Sequence, residues 1–352
     1  MFAPKVFASY SFFASVHFLF LLETNSMKRR QILSAALGST AFATLNTTGV
    51  WAQAYPSRPL KMIVPWPPGQ ATDLAGRVAA QELSKGLGVA VVVENKAGAG
   101  GTIGTDAVAK AAPDGYTILA ASSGPMSVAP LLQKVPYDPM KDLVPVAMIG
   151  MSPYVLVTSP SMAAKDLREF IAMVKAAPGK YSFGSSGTGA TAHLIAEAFN
   201  AAAGLQALHV PYKGSVAALT DVMSGQITYC IETAASTMPL VKSGKLKAYG
   251  VSLEKGSTMT PGVMPFAKLP ELAGFDLGAW LGVMVPANTP AAVIERLAAI
   301  LEKSMPSEAV KQTMATISVE PDFRSAADLT AYLKAISTRF ADVIRRNNIK
   351  LS

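Results

Sequence analysis

The chain has 352 residues, of which 50% are hydrophobic and 15% charged, and its formal net charge is +8 at pH 7. This length allows one large core or two domains. Its basic residues are spread out and form no run with interleaved aromatic residues, which argues against nucleic acid as a partner. The only cysteine, Cys230, excludes an intramolecular disulfide, and its apolar neighbours predict a buried thiol.

The N-terminal region has the pattern of an export signal. The basic segment Met27–Arg30 precedes an apolar stretch of small residues, and Ala52–Ala54 has the A-x-A form of a cleavage site. We therefore expect residues 27–54 to be a signal peptide, cleavage after Ala54 and a periplasmic mature chain. The arginine pair leaves two export routes open, the general secretory route and the twin-arginine route.

A second apolar run, Val6 to Leu22, precedes this signal and is interrupted by serines and His17. One interpretation is a short membrane anchor. We favour the other, in which the chain starts at Met27 and residues 1–26 are a miscalled extension. No stretch after Ala54 is long and apolar enough to span a bilayer.

From Tyr55 onwards, strand-like and helix-like segments alternate, a pattern that predicts α/β architecture with a largely parallel sheet. Apolar content and turn signals give the bounds of each segment. The first set has predicted strands at Leu60–Val64, Val89–Val93 and Tyr116–Ala120, and predicted helices from Asp73 to about Lys85 and from Gly104 to Lys110.

A second set of segments follows the same alternation. Its predicted strands are Tyr154–Val157, Lys180–Phe183, Ala207–Val210 and Lys247–Val251, and its predicted helices are 165–176, Thr191–Ala202 and Ser215–Met223. The tail is predicted to be helical. Thr289 is the expected N-cap of one helix with Pro290 at its first position, and Ser325–Asp328 reads as the capping box of another.

This order predicts two similar α/β lobes. The first lobe comprises residues 55–157 and is completed by residues 279–352, and the second comprises residues 158–278. The extended apolar segments Met151–Ser159 and Leu277–Pro286 are the predicted crossings between them. Two crossings form a hinge, and the cleft between two lobes is where ligands bind.

Two glycine-rich turns form the candidate site. Each follows a predicted strand and opens a predicted helix, whose N-terminus has unpaired N–H groups and a partial positive charge that favour an anion. The turns consist of Trp66, Pro67, Pro68, Gly69, Gln70, Ala71, Thr72 and Asp73, and of Ser186, Gly187, Thr188, Gly189, Ala190 and Thr191. Each turn alone is also compatible with an ordinary strand-to-helix connection. Together they predict a small acidic ligand held between the lobes.

Polar residues near these turns have more than one interpretation. Asp73 can complement the helix dipole, meet a donor group of the ligand, or brace its loop, which we favour. His193 and His209 are expected to be structural. In the segment Tyr212-Lys213-Gly214, Tyr212 can wall the cleft and Lys213 can attract a carboxylate, but an exposed lysine beside a turn needs no function.

The segment Gly98–Gly104 imitates a dinucleotide-binding fingerprint, but Ile103 stands where that pattern needs glycine. Close packing of helix on strand is the simpler explanation for these glycines. The sequence also lacks the motifs of zinc proteases, P-loop proteins, C-x-x-C redox proteins and G-x-S-x-G hydrolases. We therefore predict a non-enzymatic protein with no cofactor and no metal site.

Short motifs spread over the whole mature region carry a family resemblance. In chain order they are Tyr55-Pro56, Arg58–Leu60, Val64–Gly69, Val92–Gly101, Ala112–Thr117, Ser186–Gly189, His193-Leu194, Val210–Gly214, Ser243–Leu246, Trp280–Gly282, Pro286 and Thr289-Pro290. With them the chain resembles the Bug (TctC-like) family, the extracytoplasmic substrate receptors of tripartite tricarboxylate transporters.

The resemblance implies a type II periplasmic-binding-protein fold, with two α/β lobes, two hinge strands and the ligand cleft between the lobes. It implies a small carboxylate as ligand, held largely by backbone amides and ordered water. It places that ligand at the first turn, near Ser122 and Ser123, at the second turn, and at Tyr212, Lys213 and Gly214. The implied partners are the two membrane subunits of the transporter, and we expect a monomer.

The sequence departs from the family pattern at three places. Gln70 replaces a usual glycine, so its side-chain amide is expected to project into the pocket and add a polar contact. Ser215 begins the segment in which the family often has proline. The arginine common after the strand near Val251 is missing, with Gly256 close to that position.

Two other hypotheses stay open. The first is a cleft hydrolase or isomerase that uses Asp73 with His193, which requires the two side chains to reach each other or a common ligand. The second is a receptor that is decoupled from transport and signals to a sensor.

Overall fold

The computed structural model describes residues 55–346 and Ile349, so the predicted export signal in residues 1–54 lies outside the described residues. The strands are β1 (Leu60–Val64), β2 (Val91–Asn95), β3 (Thr117–Ser122), β4 (Leu143–Ser152), β5 (Tyr154–Thr158), β6 (Ser182–Ser185), β7 (Leu208–Pro211), β8 (Tyr229–Thr233), β9 (Lys247–Val251), β10 (Ala279–Pro286) and β11 (Glu320–Ser325). The helices are α1 (Ala71–Leu87), α2 (Thr102–Ala109), α3 (Ala129–Leu132), α4 (Leu167–Lys175), α5 (Thr191–Ala203), α6 (Ser215–Ser224), α7 (Ala234–Lys242), α8 (Ala291–Ser304), α9 (Glu308–Thr316) and α10 (Ala326–Arg346).

The strands form two sheets. One has six strands in the order β11-β4-β10-β3-β1-β2, and the other has five in the order β7-β6-β8-β5-β9. The pairs β1–β2, β1–β3, β6–β7 and β6–β8 are parallel, whereas the other five pairs are antiparallel. The α/β class is confirmed, but the prediction of a largely parallel sheet was wrong. The chain leaves the six-stranded sheet after β4 and returns to it in β10. These two strands pair antiparallel with each other, and β10 also pairs antiparallel with β3.

The chain passes between the sheets twice. It leaves the six-stranded sheet at Pro153 and returns to it at Ala279. The two crossings are bonded to each other, because the backbone N–H of Ser252 donates to the carbonyl of Tyr154 and the N–H of Leu277 donates to the carbonyl of Ser252. These short links hold both crossings at one place and define a hinge axis for the sheets.

The predicted lobe boundaries stay a prediction. Two observations concern the segments next to these boundaries. Strand β5 lies inside the predicted first lobe but pairs with β8 and β9 in the five-stranded sheet. The segment Leu277–Pro286, predicted as a crossing, is mostly strand β10 of the six-stranded sheet. The crossing itself occupies the preceding residues, after β9.

The local signals for helix ends agree with the structure except at one helix. Gly88 and Gly204 adopt the left-handed conformation and end α1 and α5. The capping box is confirmed, since the Ser325 hydroxyl accepts from the N–H of Asp328 and donates to its carboxylate. At α8 the N-cap is Pro290 and not Thr289, whose hydroxyl instead donates to the carbonyl of Pro286.

The core fills the space between each sheet and its helices. Trp280 on β10 is the largest fully buried side chain of the described residues, and Cys230 is fully buried as predicted. No helix in the described part of the chain combines the length and apolarity needed to span a bilayer.

Two histidines pack inside the five-stranded half. The ring of His209 on β7 stacks between Phe183 at 4.9 Å and His193 at 4.1 Å, and its Nε2 lies 2.7 Å from the Ser185 hydroxyl. Burial and the neighbouring His193 lower the pKa of His209 from 6.5 to about 4. Both histidines therefore have the packing role that was predicted.

The lowered pKa of His209 predicts a loss of stability in acid. Between pH 6.5 and about 4 the unfolded chain takes up a proton at this residue while the folded chain does not, so the free energy of unfolding falls as pH falls. We expect the loss in melting temperature between pH 7 and pH 5 to be smaller in His209→Gln than in the wild type. Leu208→Gln, at an exposed position of the same strand, serves as the control and should keep the wild-type loss. Equal losses in all three proteins would contradict this assignment.

Candidate functional site

The loops after β1 and β6 meet at an enclosed space, here named the central cavity. Its volume is about 20 Å³, enough for one water molecule. It is lined by Trp66, Gln70, Ala71, Thr72, Ser122, Tyr154, Ser186, Thr191, Glu232, Thr233, Ala279 and Leu281. Ala71 and Thr72 begin α1, and Thr191 begins α5. Two helix N-termini that follow strands of different sheets therefore face one cavity, where their unpaired N–H groups favour an anion.

The first loop is held in shape by Asp73. This carboxylate is 1% exposed and accepts from the N–H of Gly69 at 3.0 Å and from the amide of Asn95 at 2.8 Å. Arg77 forms an ion pair with it at 2.9 Å, and Asn95 also donates to the carbonyl of Trp66. All these bonds fix the loop from Trp66 to Gly69, which is the bracing role favoured for Asp73.

The second loop is fixed by His193. The Nδ1 atom of this buried ring accepts from the N–H of Gly189 at 3.3 Å, one turn before it. The N–H of Ala190 donates to the carbonyl of Gly187, and Gly187 has a φ of +138°, a conformation that L side chains rarely adopt. The loop is thereby closed tightly enough to bring Thr191 to the cavity wall.

Two tryptophans are anchored by the predicted serines. The indole N–H of Trp66 donates to the Ser122 hydroxyl at 2.9 Å, and the backbone N–H of Trp280 donates to the Ser123 hydroxyl at 2.9 Å. Ser122 lines the central cavity, whereas Ser123 does not. Ser122 thus positions an aromatic residue of the cavity wall, whereas Ser123 fixes the backbone of β10 at Trp280.

A chain of hydrogen bonds joins the two sheets beside the cavity. The side-chain amide of Gln70 donates to the Ser215 hydroxyl at 2.8 Å, and that hydroxyl donates to Oε2 of Glu232 at 2.7 Å. All three residues are buried. Gln70 thus projects to the cavity as its departure from the family pattern predicted, and the polar contact it makes here is with Ser215, which is itself a departure.

A second space, here named the outer cavity, lies between the same two loops and has a volume of about 350 Å³. It shares Trp66 and Ser186 with the central cavity. Its other lining residues are Pro67, Gly98, Ala99, Gly100, Gly101, Gln133, Gly187, Thr188, Pro211, Tyr212 and Lys213. Tyr212 is held there by donating from its hydroxyl to the Asp221 carboxylate at 2.6 Å.

The sequence-predicted residues therefore divide into three groups. Trp66, Gln70, Ala71, Thr72, Ser122, Ser186 and Thr191 line the central cavity, and Pro67, Gly187, Thr188, Tyr212 and Lys213 line the outer cavity. Pro68, Gly69, Asp73, Ser123, Gly189, Ala190 and Gly214 line neither of the two. Gly214 still matters to the contact, because a Cβ there would lie 2.6 Å from Pro67 on the opposite loop.

Several lining residues were missed in the sequence. Glu232 carried a usable signal, since it is the single charged residue at the end of the apolar strand β8. Tyr154, Ala279 and Leu281 gave none, because only the hinge geometry brings them to the cavity. The Gly98–Gly104 segment was assigned to packing alone, which holds for Gly104 against Lys96 and Pro65 but omits the approach of Gly100 to Thr188.

The charge of the central cavity is unusual for an anion site. Its lining contains no lysine, arginine or histidine, and the ionisable groups in it are Tyr154 and Glu232. Burial raises the pKa of both groups, which keeps them neutral over a wider pH range. An anion there would depend on helix N-termini and hydroxyls. Within the described residues no group of three His, Cys, Asp or Glu side chains could hold a metal ion.

Two α/β lobes joined by two crossings, with a polar cavity between them, define a periplasmic binding protein of type II. Comparison with known proteins gives the family. The sequence model described as tripartite tricarboxylate transporter family receptor matches residues 75–349. The chain belongs to this family.

Individual relatives agree with this assignment. Protein BugT of Bordetella pertussis is 39% identical over 306 residues, which are 86% of this chain and 93% of BugT. A structure of an R. palustris protein with adipate has 27% identity and a TM-score of 0.80, covering 84% of this chain and 99% of that chain. The structure of MatC from Rhodopseudomonas palustris with bound malate has 28% identity and a TM-score of 0.78. The match covers 82% of this chain and 100% of MatC.

The enzyme hypothesis fails on these findings. The relatives and structural neighbours are solute-binding receptors and not enzymes. The structure also gives Asp73 and His193 separate partners on separate loops, and neither residue lines the central cavity. The pair has the two loop-shaping roles described above.

The contact between Gly100 and Thr188 allows a test of loop approach. Gly100 has a φ of +64°, and a Cβ there would lie 2.7 Å from the Thr188 carbonyl oxygen. We expect Gly100→Ala to push the loop after β2, which contains Gly100, away from the loop after β6, which contains Thr188. The radius of gyration measured by small-angle scattering should then rise. The matched control is Gly179→Ala, at a φ of +72° with no atom within 4 Å. Both variants carry the cost of a left-handed alanine, about 1–2 kcal/mol. An unchanged radius in Gly100→Ala would contradict the closed contact.

Proposed function

We propose that this protein is a periplasmic receptor that captures a small carboxylate by closure of its lobes and delivers it to the membrane subunits of a tripartite tricarboxylate-type transporter. Family membership supports the receptor role. The relatives with bound adipate and malate support the ligand class, since both ligands are small dicarboxylates.

The single observation that carries the proposal is the meeting of two helix N-termini at one cavity. The first turns of α1 and α5 present backbone N–H groups without intrahelical partners, and Thr72 and Thr191 add hydroxyl donors beside them. Because the lining contains no basic side chain, these groups are the means of holding a carboxylate there.

Ligand entry would require the two sheets to separate. A volume of about 20 Å³ fits a water molecule and not an organic acid, so the closed arrangement has to open around the bonded crossings at Tyr154, Ser252 and Leu277. We infer that a carboxylate group occupies the central cavity and that the rest of the ligand extends past Trp66 and Ser186 into the outer cavity. The predicted residues that line the two cavities then bind one ligand together.

Export is the second part of the proposal. The signal pattern in residues 27–54 implies removal after Ala54, which leaves Tyr55 as the first residue of the periplasmic form. Tyr55 is itself tied to the fold, since its hydroxyl donates to the carbonyl of Gly115 and its own carbonyl accepts from Arg296. A mature chain that begins at this residue keeps these contacts.

A thermal-shift experiment on the processed protein tests the ligand class. A ligand at 100 times its Kd should add about 2.7 kcal/mol to the free energy of unfolding, which raises the melting temperature of a protein of this size by several degrees. We expect such a shift from adipate, malate or another small dicarboxylate, and none from the corresponding neutral diamides. A shift from the diamides alone would contradict a carboxylate ligand.

Paired variants at the two cavities test where the carboxylate binds. Thr191 lines the central cavity and Thr188 lines the outer cavity, so each change to valine removes one hydroxyl at nearly constant volume. We expect Thr191→Val to weaken binding by about tenfold or more, because a hydrogen bond to a charged group contributes about 1.5–3 kcal/mol. Thr188→Val should have the smaller effect in isothermal titration calorimetry. The reverse order would place the carboxylate in the outer cavity.

A further inference from the structure

A buried carboxyl group in an anion site needs an explanation of its own. Glu232 is the penultimate residue of β8, is 1% exposed and lines the central cavity. Its Oε2 atom accepts from the Ser215 hydroxyl at 2.7 Å and from the N–H of Thr233 at 3.3 Å, whereas its buried Oε1 atom has no hydrogen-bond partner. The protein therefore satisfies one oxygen of this group and leaves the other free in the cavity.

The direction of the hydrogen-bond chain decides the role of each oxygen. The amide N–H of Gln70 can only donate, so the Ser215 hydroxyl accepts from it. The same hydroxyl then donates its own hydrogen bond to Oε2 of Glu232. Oε2 therefore acts as an acceptor, and a proton on the carboxyl group would lie on Oε1. A buried O–H without an acceptor is costly, and a ligand oxygen would provide that acceptor.

We propose that Glu232 contacts the ligand directly and, in its protonated form, donates a hydrogen bond from Oε1 to a carboxylate oxygen of the ligand. The inference rests on the proposed function, since it takes a carboxylate as the ligand. It makes Glu232 a specificity-determining residue and couples binding to a proton. An ionised Glu232 would instead place two like charges in one small cavity without a cation, which strongly disfavours binding.

The surroundings of Glu232 favour its neutral form. Burial raises the pKa of Glu232 and outweighs the nearby donors, Ser215 first among them, which act in the opposite direction. Tyr154 is the other titratable group that lines the cavity. The charged or titratable groups on the strand itself and on the elements around it are Tyr229 and Cys230 on β8, Lys247 and Tyr249 on β9, His193 and Glu197 on α5, Asp221 on α6, Lys242 on α7, and Asp73, Arg77, Glu82 and Lys85 on α1. Asp73 and Arg77 form an ion pair, and Asp221 accepts from Tyr212.

The pH dependence of binding follows from this arrangement. Below the pKa of Glu232 in the free protein the donor is present and affinity is at its highest. Above that pKa each molecule has to take up a proton before it binds, so affinity falls by up to tenfold per pH unit. A ligand with an ammonium group would behave in the opposite way, because Oε1 would then accept from it in the ionised form.

Calorimetry on the processed wild-type protein and Glu232→Gln tests the proposal, with adipate, malate and aspartate as probes between about pH 6.5 and pH 9, where their carboxyl groups are ionised. In the glutamine variant the amide nitrogen can replace the protonated Oε1 as donor. We expect wild-type affinity for a dicarboxylate to fall by up to tenfold per pH unit once the pH passes the pKa of Glu232. The variant should bind within about threefold of the wild type where Glu232 is protonated and show no fall. Glu302→Gln, exposed on α8, is the matched control and should keep the wild-type profile.

Each other outcome overturns the proposal in a recognisable way. A wild-type affinity that rises with pH, or that stays flat although the Glu232 carboxyl group ionises within this range, would exclude a protonated donor. The carboxyl infrared bands of wild type minus Glu232→Gln report that ionisation. Loss of dicarboxylate binding in a Glu232→Gln protein with a normal melting temperature would show that the ionised group is needed. Binding of aspartate without malate or adipate would assign Glu232 to an ammonium group. Failure of all probes to bind wild type would reject the proposed function together with this inference.

Discussion

The arrangement depends on one constraint: two helix N-termini from two sheets face the same buried space without a basic side chain. Their unpaired N–H groups give the space a positive potential, and Glu232 is the single carboxyl group in its lining. Gln70, Ser215 and Glu232 connect the two sheets across this space by hydrogen bonds whose donors all point the same way. The polar groups beside the cavity are therefore mostly satisfied by the protein, and the exception is the buried Oε1 atom of Glu232, which has no hydrogen-bond partner.

The loops are held rigidly within each half of the molecule, whereas the two halves are connected at the hinge by few bonds. Asp73 and His193 hold the two loops by bonds within each half of the molecule, so the loops keep their shape when the halves separate. Ser252 ties the crossings to each other, and the contacts between loops are few polar bonds and close glycine approaches. Such an arrangement loses little entropy on binding, because the donors are already oriented before the ligand arrives.

The sequence predicted the parts of the fold that depend on local signals. Strand-to-helix turns, most helix and strand bounds and the capping box at Ser325 are set by neighbouring residues, and they were placed to within a few positions. The antiparallel strands β4 and β10 were not, because their direction depends on where the chain re-enters a sheet. Tyr154 was missed for the same reason, because it reaches the cavity only through the pairing of β5 with β8, whereas Glu232 was marked by its charge in an apolar strand.

A crystal structure of the processed protein with bound adipate or malate tests the central claim most directly. We predict a ligand carboxylate within hydrogen-bond distance of the first N–H groups of α1 and α5, with an oxygen also within reach of Oε1 of Glu232. A carboxylate bound only in the outer cavity, or held by a basic side chain such as Lys213, would contradict the account.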